Sequence, residues 1–343
     1  MKIAVIGCGY WGNHLLRNFY QSDLWQLVAA CDTDEKQLNK TKNSYPNIIT
    51  STNLDDILNI EDLDAIAIST PVFSHYQIAK KALEKGIHTW IEKPITAETK
   101  QAEELIKIAQ ENNAIINVDH TYIYTPAVQK IKELINNGEI GDILYYDSVR
   151  INLGLFQHDV NVIWDLAPHD ISILIYLICK EPVAVSASGS SVIKYNNKDL
   201  ESIAYITLHY ADATIAHLHV NWLSPVKIRQ IIIGGSKKMI TFDDMAMSEK
   251  IKVYDTGVKL QEREDIYETL VQYRIGDMYS PALANKEALK EEVDHFYHSI
   301  KNNKNTETNG ESGLAVVKII EAANKSLKNG GVKVDLCGRI IKV

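Results

Sequence analysis

Six residues near the start of the chain, Gly7-Cys8-Gly9-Tyr10-Trp11-Gly12, decide the fold of its first domain. They follow an apolar run at residues 2–7 that predicts a buried strand, and they precede an amphipathic segment that predicts a helix. The glycine spacing permits a tight turn, a close backbone approach to a ligand, and close packing of helix on strand. This arrangement predicts a site for a pyrophosphate at the helix N-terminus.

The region up to residue 120 alternates short apolar runs with Lys- and Glu-rich amphipathic segments, which is typical of buried parallel strands joined by helices. The strands are predicted at 2–7, 26–32, 65–70, 88–92 and 114–118, and the clearest helices at 73–85 and 98–113. Thr96 is expected near the cap of the second helix. The pattern predicts an α/β fold with an open, doubly wound parallel sheet.

Asp32 lies 20 residues after Gly12, at the end of the second predicted strand. A carboxylate there is expected to bond the adenosine ribose hydroxyls and to repel the 2′-phosphate of NADP, which favours NAD. Lys36 is close enough to soften that repulsion. The alternative is a glycine-rich turn that arose by chance, and the order of strand, glycines, helix, second strand and acid argues against it.

After residue 120 the strands follow one another at short spacing without intervening helices. Helices are predicted at 126–136, 164–179, 286–301 and 313–328, strands at 142–152, 183–191, 202–209, 214–222, 229–234 and 239–242, and a loop at 302–311. These strands are rich in β-branched and aromatic residues, so the sheet should be mostly antiparallel. We therefore expect two domains, an α/β domain at 1–120 and an α+β domain at 121–343.

Composition limits the classes of function. A net charge of −8 argues against nucleic acid or an anionic membrane as the main partner. No signal peptide and no apolar stretch of about 20 residues is evident. The cysteines, at 8, 31, 179 and 337, have no ligand spacing and are expected to be reduced thiols of a cytoplasmic protein. No metal site is expected, because His217 and His219 lack a third ligand.

The tripeptide Glu92-Lys93-Pro94 follows a predicted strand at the carboxyl edge of the sheet, where ligands bind in open α/β folds. Lys93 is placed to contact both the nicotinamide ribose and a substrate oxygen. Pro94 restricts the backbone, in the trans or the rarer cis form, and so aims the lysine. The alternative is an ordinary surface turn.

The segment Trp164-Asp165-Leu166-Ala167-Pro168-His169-Asp170 carries a second set of polar groups. Asp165 and His169 are four residues apart and share one face of a helix. A proline loses no helical hydrogen bond only when it lies in the first turn of a helix. If Pro168 lies there, Asp165 is expected near the N-cap and His169 just inside the helix. The positive helix end would favour a neutral imidazole able to accept a proton. Alternatively, Asp165 only caps the helix and His169 is an exposed polar residue.

Taken in order, residues 7–12, Asp32, Ser69-Thr70-Pro71, Glu92-Lys93-Pro94 and the Asp165–His169 pair resemble the Gfo/Idh/MocA family of oxidoreductases over essentially the whole chain. The resemblance implies a Rossmann domain, then a domain with a large, open, mostly antiparallel sheet that mediates assembly into a homo-oligomer, a dimer or a tetramer. It implies hydride transfer between NAD and a sugar or cyclitol carbinol. Lys93 would polarise the reacting oxygen, His169 would act as acid or base, and Asp165 would orient substrate or histidine.

The resemblance also implies the lining of both binding sites. The cofactor residues are Gly7, Gly9, Tyr10, Trp11, Gly12, Asp32, Ser69, Thr70, Pro71, His75, Glu92 and Lys93. The substrate residues are Lys93, His120, Tyr124, Asn152, Asp165, His169 and Trp222. For Tyr124 and the neighbouring Tyr122, packing in a core or hinge is the alternative.

Within the family, residues 152–154, 161–170 and 222–225 are similar to members that modify nucleotide sugars, including UDP-N-acetylhexosamine 3-dehydrogenases, which form a 3-keto sugar. The chain departs from relatives at Asp119, where glycine is more common, and at Leu155 and Gln157, where close relatives tend to carry arginine. The missing arginines weaken anion recognition. Lys227 and Arg229 are candidates to replace their charge, with solvated strand-end charges as the alternative.

Three other functions share these motifs. They are an inositol or free-sugar dehydrogenase, an enzyme that oxidises its substrate transiently with bound NAD during glycoside hydrolysis, and a non-catalytic NAD-sensing regulator. Because a sensor has no need of Lys93, Asp165 and His169, their presence favours an enzyme.

Overall fold

The computed structural model describes residues 1–154, 160–192, 200–261 and 270–336. The strands are β1 (Lys2–Ile6), β2 (Gln26–Cys31), β3 (Ile49–Ser51), β4 (Ala65–Ile68), β5 (His88–Glu92), β6 (Ile116–Asp119), β7 (Ile143–Leu153), β8 (Pro182–Ser190), β9 (Ile203–Tyr210), β10 (Ile215–Asn221), β11 (Leu223–Gly235), β12 (Met239–Asp243), β13 (Ile251–Gln261), β14 (Leu270–Tyr279) and β15 (Val334–Asp335). The helices are α1 (Tyr10–Gln21), α2 (Glu35–Ser44), α3 (Leu54–Leu58), α4 (Val72–Leu83), α5 (Thr99–Glu111), α6 (Pro126–Asn136), α7 (Val162–Ile178), α8 (Ala288–Lys301) and α9 (Gly310–Lys328), with a 3-10 helix at Thr121–Tyr124.

The chain divides into two compact units. Among the described residues, the first contains Met1–Tyr124 and Lys286–Lys318, and the second contains Thr125–Asn285 and residues 319–336. The sequence interpretation instead assigned everything after residue 120 to the second domain. The segment around α8 returns to the first unit because its apolar face completes that unit's core.

Aromatic packing explains this return. Phe296 of α8 is fully buried, and its ring stacks on Trp25 with centroids 5.5 Å apart. The indole N–H of Trp25 donates to the carbonyl oxygen of Val293 at 3.1 Å. Trp90 of β5 contacts Phe296 edge to face at a centroid distance of 5.8 Å. Burying several large aromatic side chains in one cluster stabilises the first unit far more than local helix propensity does.

The first unit is built on a six-stranded parallel sheet in the order β3-β2-β1-β4-β5-β6. The strand order reverses between β1 and β4, and ligands of such sheets bind outside the carboxyl ends at this reversal. The predicted doubly wound α/β fold is confirmed. β3 was not among the predicted strands, since its three residues are too few to form a recognisable apolar run.

Helix α5 starts later than expected. Its N-cap is Glu98, which makes no side-chain capping bond. Thr96 instead donates from its hydroxyl to the carbonyl oxygen of Glu98 at 2.8 Å. Thr96 therefore stabilises the turn before the helix and does not cap it.

The second unit contains a nine-stranded sheet in the order β14-β13-β12-β11-β7-β10-β9-β8-β15. Its pairs are antiparallel except for β7 with β10, so the prediction of a mostly antiparallel sheet is confirmed. Helix α7 packs on β7, β9 and β10. Side chains such as Leu144, Ile215 and Ile232 remain exposed on this unit.

Three strands of the second sheet, β13, β14 and β15, were not predicted. β13 and β14 mix charged and polar residues with short apolar stretches, and Ile275 of the outermost strand is 87% exposed. Exposed apolar side chains give the sequence of β14 no clear alternation of buried and exposed positions, and the two residues of β15 are too few to form a pattern. Among the described residues, no helix is long and apolar enough to span a bilayer.

Candidate active site

The glycine turn between β1 and α1 has the shape that a dinucleotide requires. Gly7 adopts a φ of +96°, and a Cβ atom added to it would lie 2.8 Å from the carbonyl carbon of Ser69. A Cβ on Gly12 would lie 2.0 Å from the carbonyl oxygen of Gly7, so this glycine lets the helix pack on the strand. A Cβ on Gly9 would meet no atom within 4 Å. The first and third glycines are needed for the turn and the packing, whereas Gly9 leaves open space for a ligand.

The N-terminus of α1 is suited to an anion. Its N-cap is Gly9, which offers no side-chain capping bond, and its first turn carries no acidic residue. The first backbone N–H groups of a helix lack internal partners and carry partial positive charge. Tyr10, the first residue of the helix, is 84% exposed and lies beside this end. These features fit the pyrophosphate of NAD.

Asp32 follows β2 and is tied to the glycine turn. Its Oδ2 accepts a hydrogen bond from the backbone N–H of Cys8 at 2.6 Å, and its Oδ1 accepts from the N–H of Asp34 at 2.8 Å. These bonds orient the carboxylate at the carboxyl edge of the sheet. The side chain is only half-buried, so it keeps lone pairs for ribose hydroxyls.

The segment Ser69-Thr70-Pro71 joins β4 to α4 next to the glycine turn. The hydroxyl of Ser69 donates to the carbonyl oxygen of Gly7 at 2.9 Å. His75 is buried, with Nε2 at 2.7 Å from the carbonyl oxygen of Thr70 and Nδ1 at 3.1 Å from that of Pro94. Burial lowers the pKa of His75. The histidine thus connects two loops of the edge.

Lys93 stands directly after β5, at the carboxyl edge, and is half-buried. The Lys93–Pro94 peptide bond is cis, the rarer of the two forms considered. Glu92, the last residue of β5, is the register partner of Asp119, the last residue of β6. The lysine is therefore placed beside the ends of two neighbouring strands.

Three carboxyl groups lie together below this edge. Asp119 is 2% exposed and Glu292 of α8 is fully buried, while Glu92 has its Oε2 atom buried. Burial, followed by the charge of Asp119, raises the pKa of Glu92 and of Glu292 well above the usual value. Asn117 donates to Oε1 of Glu292 at 3.1 Å. Sequence reasoning did not identify this cluster; its one signal was the aspartate at 119 in place of glycine.

His120 is buried next to the cluster. It is 1% exposed, and neither ring nitrogen has a hydrogen-bond partner among the described residues. Burial, with a smaller contribution from the positive charge of Lys93, lowers the pKa of His120 to about 3. The ring is therefore neutral at physiological pH, with one nitrogen able to donate and the other to accept.

Tyr124 occupies the interior of the first unit. It is 6% exposed, and its hydroxyl lies 3.2 Å from Oγ1 of Thr308, which in turn donates to Asn117 at 2.9 Å. These contacts agree with the packing alternative for this tyrosine.

In the second unit, α7 starts earlier than predicted. Its N-cap is Asn161, whose side chain accepts from the backbone N–H of Trp164 at 3.3 Å. Asp165 therefore lies within the first turn of the helix, and Pro168 and His169 lie in its second turn. The expected N-cap position of Asp165 was wrong, because asparagine at 161 provides the cap and the helix tolerates the hydrogen bond lost at Pro168. His169 is too far along the helix to depend on its positive end.

The side chain of Asp165 is held by a buried tryptophan. The indole Nε1–H of Trp222, which is 1% exposed, donates to Oδ2 of Asp165 at 2.9 Å. His169 follows one helical turn later on the same face and is half-buried. A Cβ added to Gly154 would lie 2.9 Å from Nδ2 of Asn152 and 3.4 Å from Cδ1 of Trp222. The structure thus brings Asn152, Trp222 and Asp165 together.

An ion pair anchors this part of α7 to the sheet. Nε of Arg150 on β7 lies 2.6 Å from Oδ2 of Asp170, and both side chains are buried. Asp170 is the neighbour of His169 in sequence. A buried pair with this geometry fixes the rotation of the helix about its axis, and the orientation of His169 with it.

The two candidate anion-binding residues have different surroundings. Arg229 pairs with Asp244 at 3.3 Å. Lys227 is exposed and lies in an irregular stretch of β11, between the pairs Leu223↔Leu153 and Ile228↔Ile151. Residues inserted in this way redirect side chains and occur often next to active sites. Leu155 and Gln157 lie outside the described residues.

Comparison with known families gives two matches. Residues 1–120 match the oxidoreductase family with an NAD-binding Rossmann fold, GFO_IDH_MocA, and residues 128–241 match the GFO/IDH/MocA C-terminal domain. The first match lies within the first unit and the second match within the second unit.

Individual proteins resemble the chain over nearly its whole length. UDP-N-acetylglucosamine 3-dehydrogenase of Acidithiobacillus ferrooxidans is 24% identical over 92% of this chain and 94% of its own, and its structure superposes with a TM-score of 0.78, covering 96% and 98% of the two chains. GenD2 from gentamicin A biosynthesis, solved with NAD, has a TM-score of 0.82 at 18% identity, covering 98% and 97%. A putative myo-inositol dehydrogenase of Sinorhizobium meliloti has a TM-score of 0.80 at 19% identity, covering 98% and 99%.

Proposed function

Because the chain belongs to the Gfo/Idh/MocA family of NAD-binding oxidoreductases, we propose that it oxidises C3 of a nucleotide-activated N-acetylhexosamine, such as UDP-N-acetylglucosamine, to a 3-keto sugar. The observation that carries the proposal is the arrangement on α7. A buried indole holds the carboxylate of Asp165, and His169 follows one turn later on the same face. The similarity to UDP-N-acetylglucosamine 3-dehydrogenase supports the choice of substrate.

The proposed reaction removes a hydride from the carbinol carbon and a proton from its hydroxyl. Bound NAD⁺ supplies the hydride acceptor. We assign the hydroxyl proton to the imidazole of His169, which accepts it as the carbonyl double bond forms. Lys93 donates a hydrogen bond to the reacting oxygen and stabilises the negative charge that develops there. Asp165 is fixed by Trp222 and orients the substrate or the histidine.

For the nucleotide, we propose Lys227 as a contact of the diphosphate. It is exposed in the irregular stretch of β11, whose flanking register partners bracket Asn152. Arg229 is a weaker candidate, because its charge already has a partner in Asp244. We further propose a homo-oligomer of two or four copies, which a measurement of mass in solution would test.

The direct test is to incubate the purified protein with NAD⁺ and a set of UDP- and dTDP-sugars, together with myo-inositol and free hexoses. We expect NADH absorbance with UDP-N-acetylhexosamines and a product lighter by two hydrogens. NADH formed only with myo-inositol or free sugars would support a second candidate function, an inositol or free-sugar dehydrogenase. The similarity to a putative myo-inositol dehydrogenase favours this candidate. Binding of NAD without turnover of any sugar would indicate a non-catalytic sensor. Release of a sugar without net formation of NADH would indicate a glycoside hydrolase.

A further inference from the structure

The buried carboxyl groups of the first unit form one connected cluster. Glu92 ends β5, Asp119 ends the neighbouring strand β6, and Glu292 projects from α8. Asn117 lies two residues before Asp119 on the same face of β6 and bonds Glu292. Three ionised carboxylates so close together in a buried place would repel one another strongly, so the cluster must retain protons.

Hydrogen bonds identify Asp119 as the member that keeps its negative charge. The indole N–H of Trp11 donates to its Oδ2 at 2.7 Å, and the hydroxyl of Thr121 donates to its Oδ1. The carboxyl of Glu92 also hydrogen-bonds to it, and a bond between two carboxyl groups requires one proton. Because Asp119 already accepts from two other donors, whereas Oε2 of Glu92 is buried and accepts from none of the described residues, we place that proton on Glu92. Asp119 is thus surrounded by donors.

Other titratable groups near the cluster are few. Lys93 follows Glu92, and its charge acts on both Glu92 and His120. His120 is neutral, as its lowered pKa of about 3 requires. Glu292 approaches from α8, and α1 contributes His14, whose ring lies 5.3 Å from that of Trp11. Asp119 and Lys93 are therefore the charged groups at the ends of β5 and β6, whereas Asp32 lies at the end of β2.

The position of the cluster relates it to one half of the cofactor. In sheets of this order the dinucleotide lies across the carboxyl edge, and the acid after the second strand contacts the adenosine ribose. Asp32 marks that half on the β2 side, so the nicotinamide half belongs on the side of β4, β5 and β6. The nicotinamide ring is a cation in NAD⁺ and neutral in NADH. A fixed negative charge nearby therefore favours the oxidised form.

We propose that Asp119 is a specificity-determining residue whose buried negative charge makes the protein bind NAD⁺ more tightly, relative to NADH, than it would without that charge. Trp11, Thr121 and Glu92 are positioning residues that hold the carboxylate at the ends of β5 and β6. The inference depends on binding of NAD and not on the sugar that is oxidised.

The test measures the dissociation constants of NAD⁺ and NADH separately, by calorimetric or fluorescence titration of the full chain without substrate. In Asp119→Asn we expect the ratio Kd(NAD⁺)/Kd(NADH) to rise at least about fivefold, because removal of a nearby charge penalises only the cationic ring. Asp119→Ser should give the same direction, and it serves where the asparagine variant does not fold. Thermal unfolding of each variant reports folding.

Three further variants separate charge from shape. Glu92→Gln keeps a donor toward Asp119 and removes no charge, so any change in the two dissociation constants should be by the same factor. Thr121→Val disturbs the network but keeps the charge, so both dissociation constants should change by the same factor. Glu104→Gln alters an exposed carboxylate on α5 and should change neither.

Equal effects on NAD⁺ and NADH in the Asp119 variants would overturn the proposal and leave the residue a structural role. A shift in Glu92→Gln as large as that in Asp119→Asn would overturn it as well, because the charge would then reside on Glu92.

Discussion

The indole N–H of Trp222 donates to the carboxylate of Asp165 across 2.9 Å. The tryptophan lies between β10 and β11 of the large sheet, and the aspartate lies in the first turn of α7. This one bond connects the helix to the sheet and fixes the carboxylate that precedes His169 by one turn.

Replacing Trp222 with phenylalanine removes the donor but keeps an aromatic ring. Loss of a hydrogen bond to a charged group is worth about 1.5–3 kcal/mol, so kcat/KM should fall about 10- to 100-fold. Steady-state kinetics with the identified sugar measures the effect, and titration with NAD⁺ should give unchanged affinity. Wild-type kcat/KM in this variant would mean that the bond does not serve the reaction.

Replacing His169 with alanine should lower kcat by about 100-fold or more, the usual effect of losing an acid or base, while NAD⁺ affinity stays the same. The matched control is His298→Ala, which removes an exposed histidine of α8. If turnover of the His169 variant were close to normal, another group would be the proton acceptor.

Replacing Asp32 with serine should relax discrimination against NADP. In the variant no carboxylate repels the 2′-phosphate. We therefore expect the association constant for NAD divided by that for NADP to fall at least about tenfold. Part of the NAD affinity should also be lost, since Asp32 accepts bonds from Cys8 and Asp34. Glu35→Gln removes a neighbouring exposed charge as control. An unchanged ratio would assign ribose recognition to a different group.

Replacing Lys227 with alanine should raise KM for a UDP-sugar about fivefold, the effect of one exposed charge pair, with little change in kcat. The KM for the same sugar without its nucleotide should not change. Lys325→Ala, on exposed α9 surface, is the control. Equal changes with both sugars would argue against a diphosphate contact.

Replacing Glu292 with glutamine should make stability less sensitive to pH. The pKa of Glu292 is raised above 4.5 in the folded state, mainly by burial and then by Asp119. Above pH 4.5 the unfolded chain loses this proton first, so wild-type stability falls as pH rises toward the folded pKa. The variant lacks this loss and should gain, relative to wild type, up to about 1.4 kcal/mol per pH unit above pH 4.5, until the pH reaches the folded pKa of Glu292.

Denaturant unfolding at several pH values measures this gain. Glu84→Gln, at an exposed position, should follow the wild-type curve. A pH-independent difference between Glu292→Gln and wild type would show that Glu292 is already ionised in the folded protein.

Much of the first unit was accessible from sequence because its signals are local. A buried parallel strand needs a short apolar run, and the glycine turn needs residues without a Cβ at fixed spacing, as Gly7 and Gly12 demonstrate. The carboxyl edge then follows from the strand order, which places Asp32 and Lys93 at strand ends. None of these inferences requires knowledge of distant contacts.

Other features depended on contacts that no local pattern encodes. Helix α7 begins directly after Asn161 and not at residue 164, because the cap at Asn161 stabilises the first turn although Pro168 lacks a backbone N–H. The assignment of α8 to the first unit follows from packing of Phe296 against Trp25 and Trp90, which are far away in sequence.

By itself, the sequence determined the class of fold and the cofactor, and it named candidates for moving a proton or polarising an oxygen, because these depend on residue type and short-range spacing. Only the tertiary structure decided which carboxyl groups lie together and which side chains hold them in place. It joined Glu92, Asp119 and Glu292 from three elements into one buried cluster, and it placed the Trp222 indole on Asp165. Burial and proximity, not sequence order, set the charge that a carboxyl group carries.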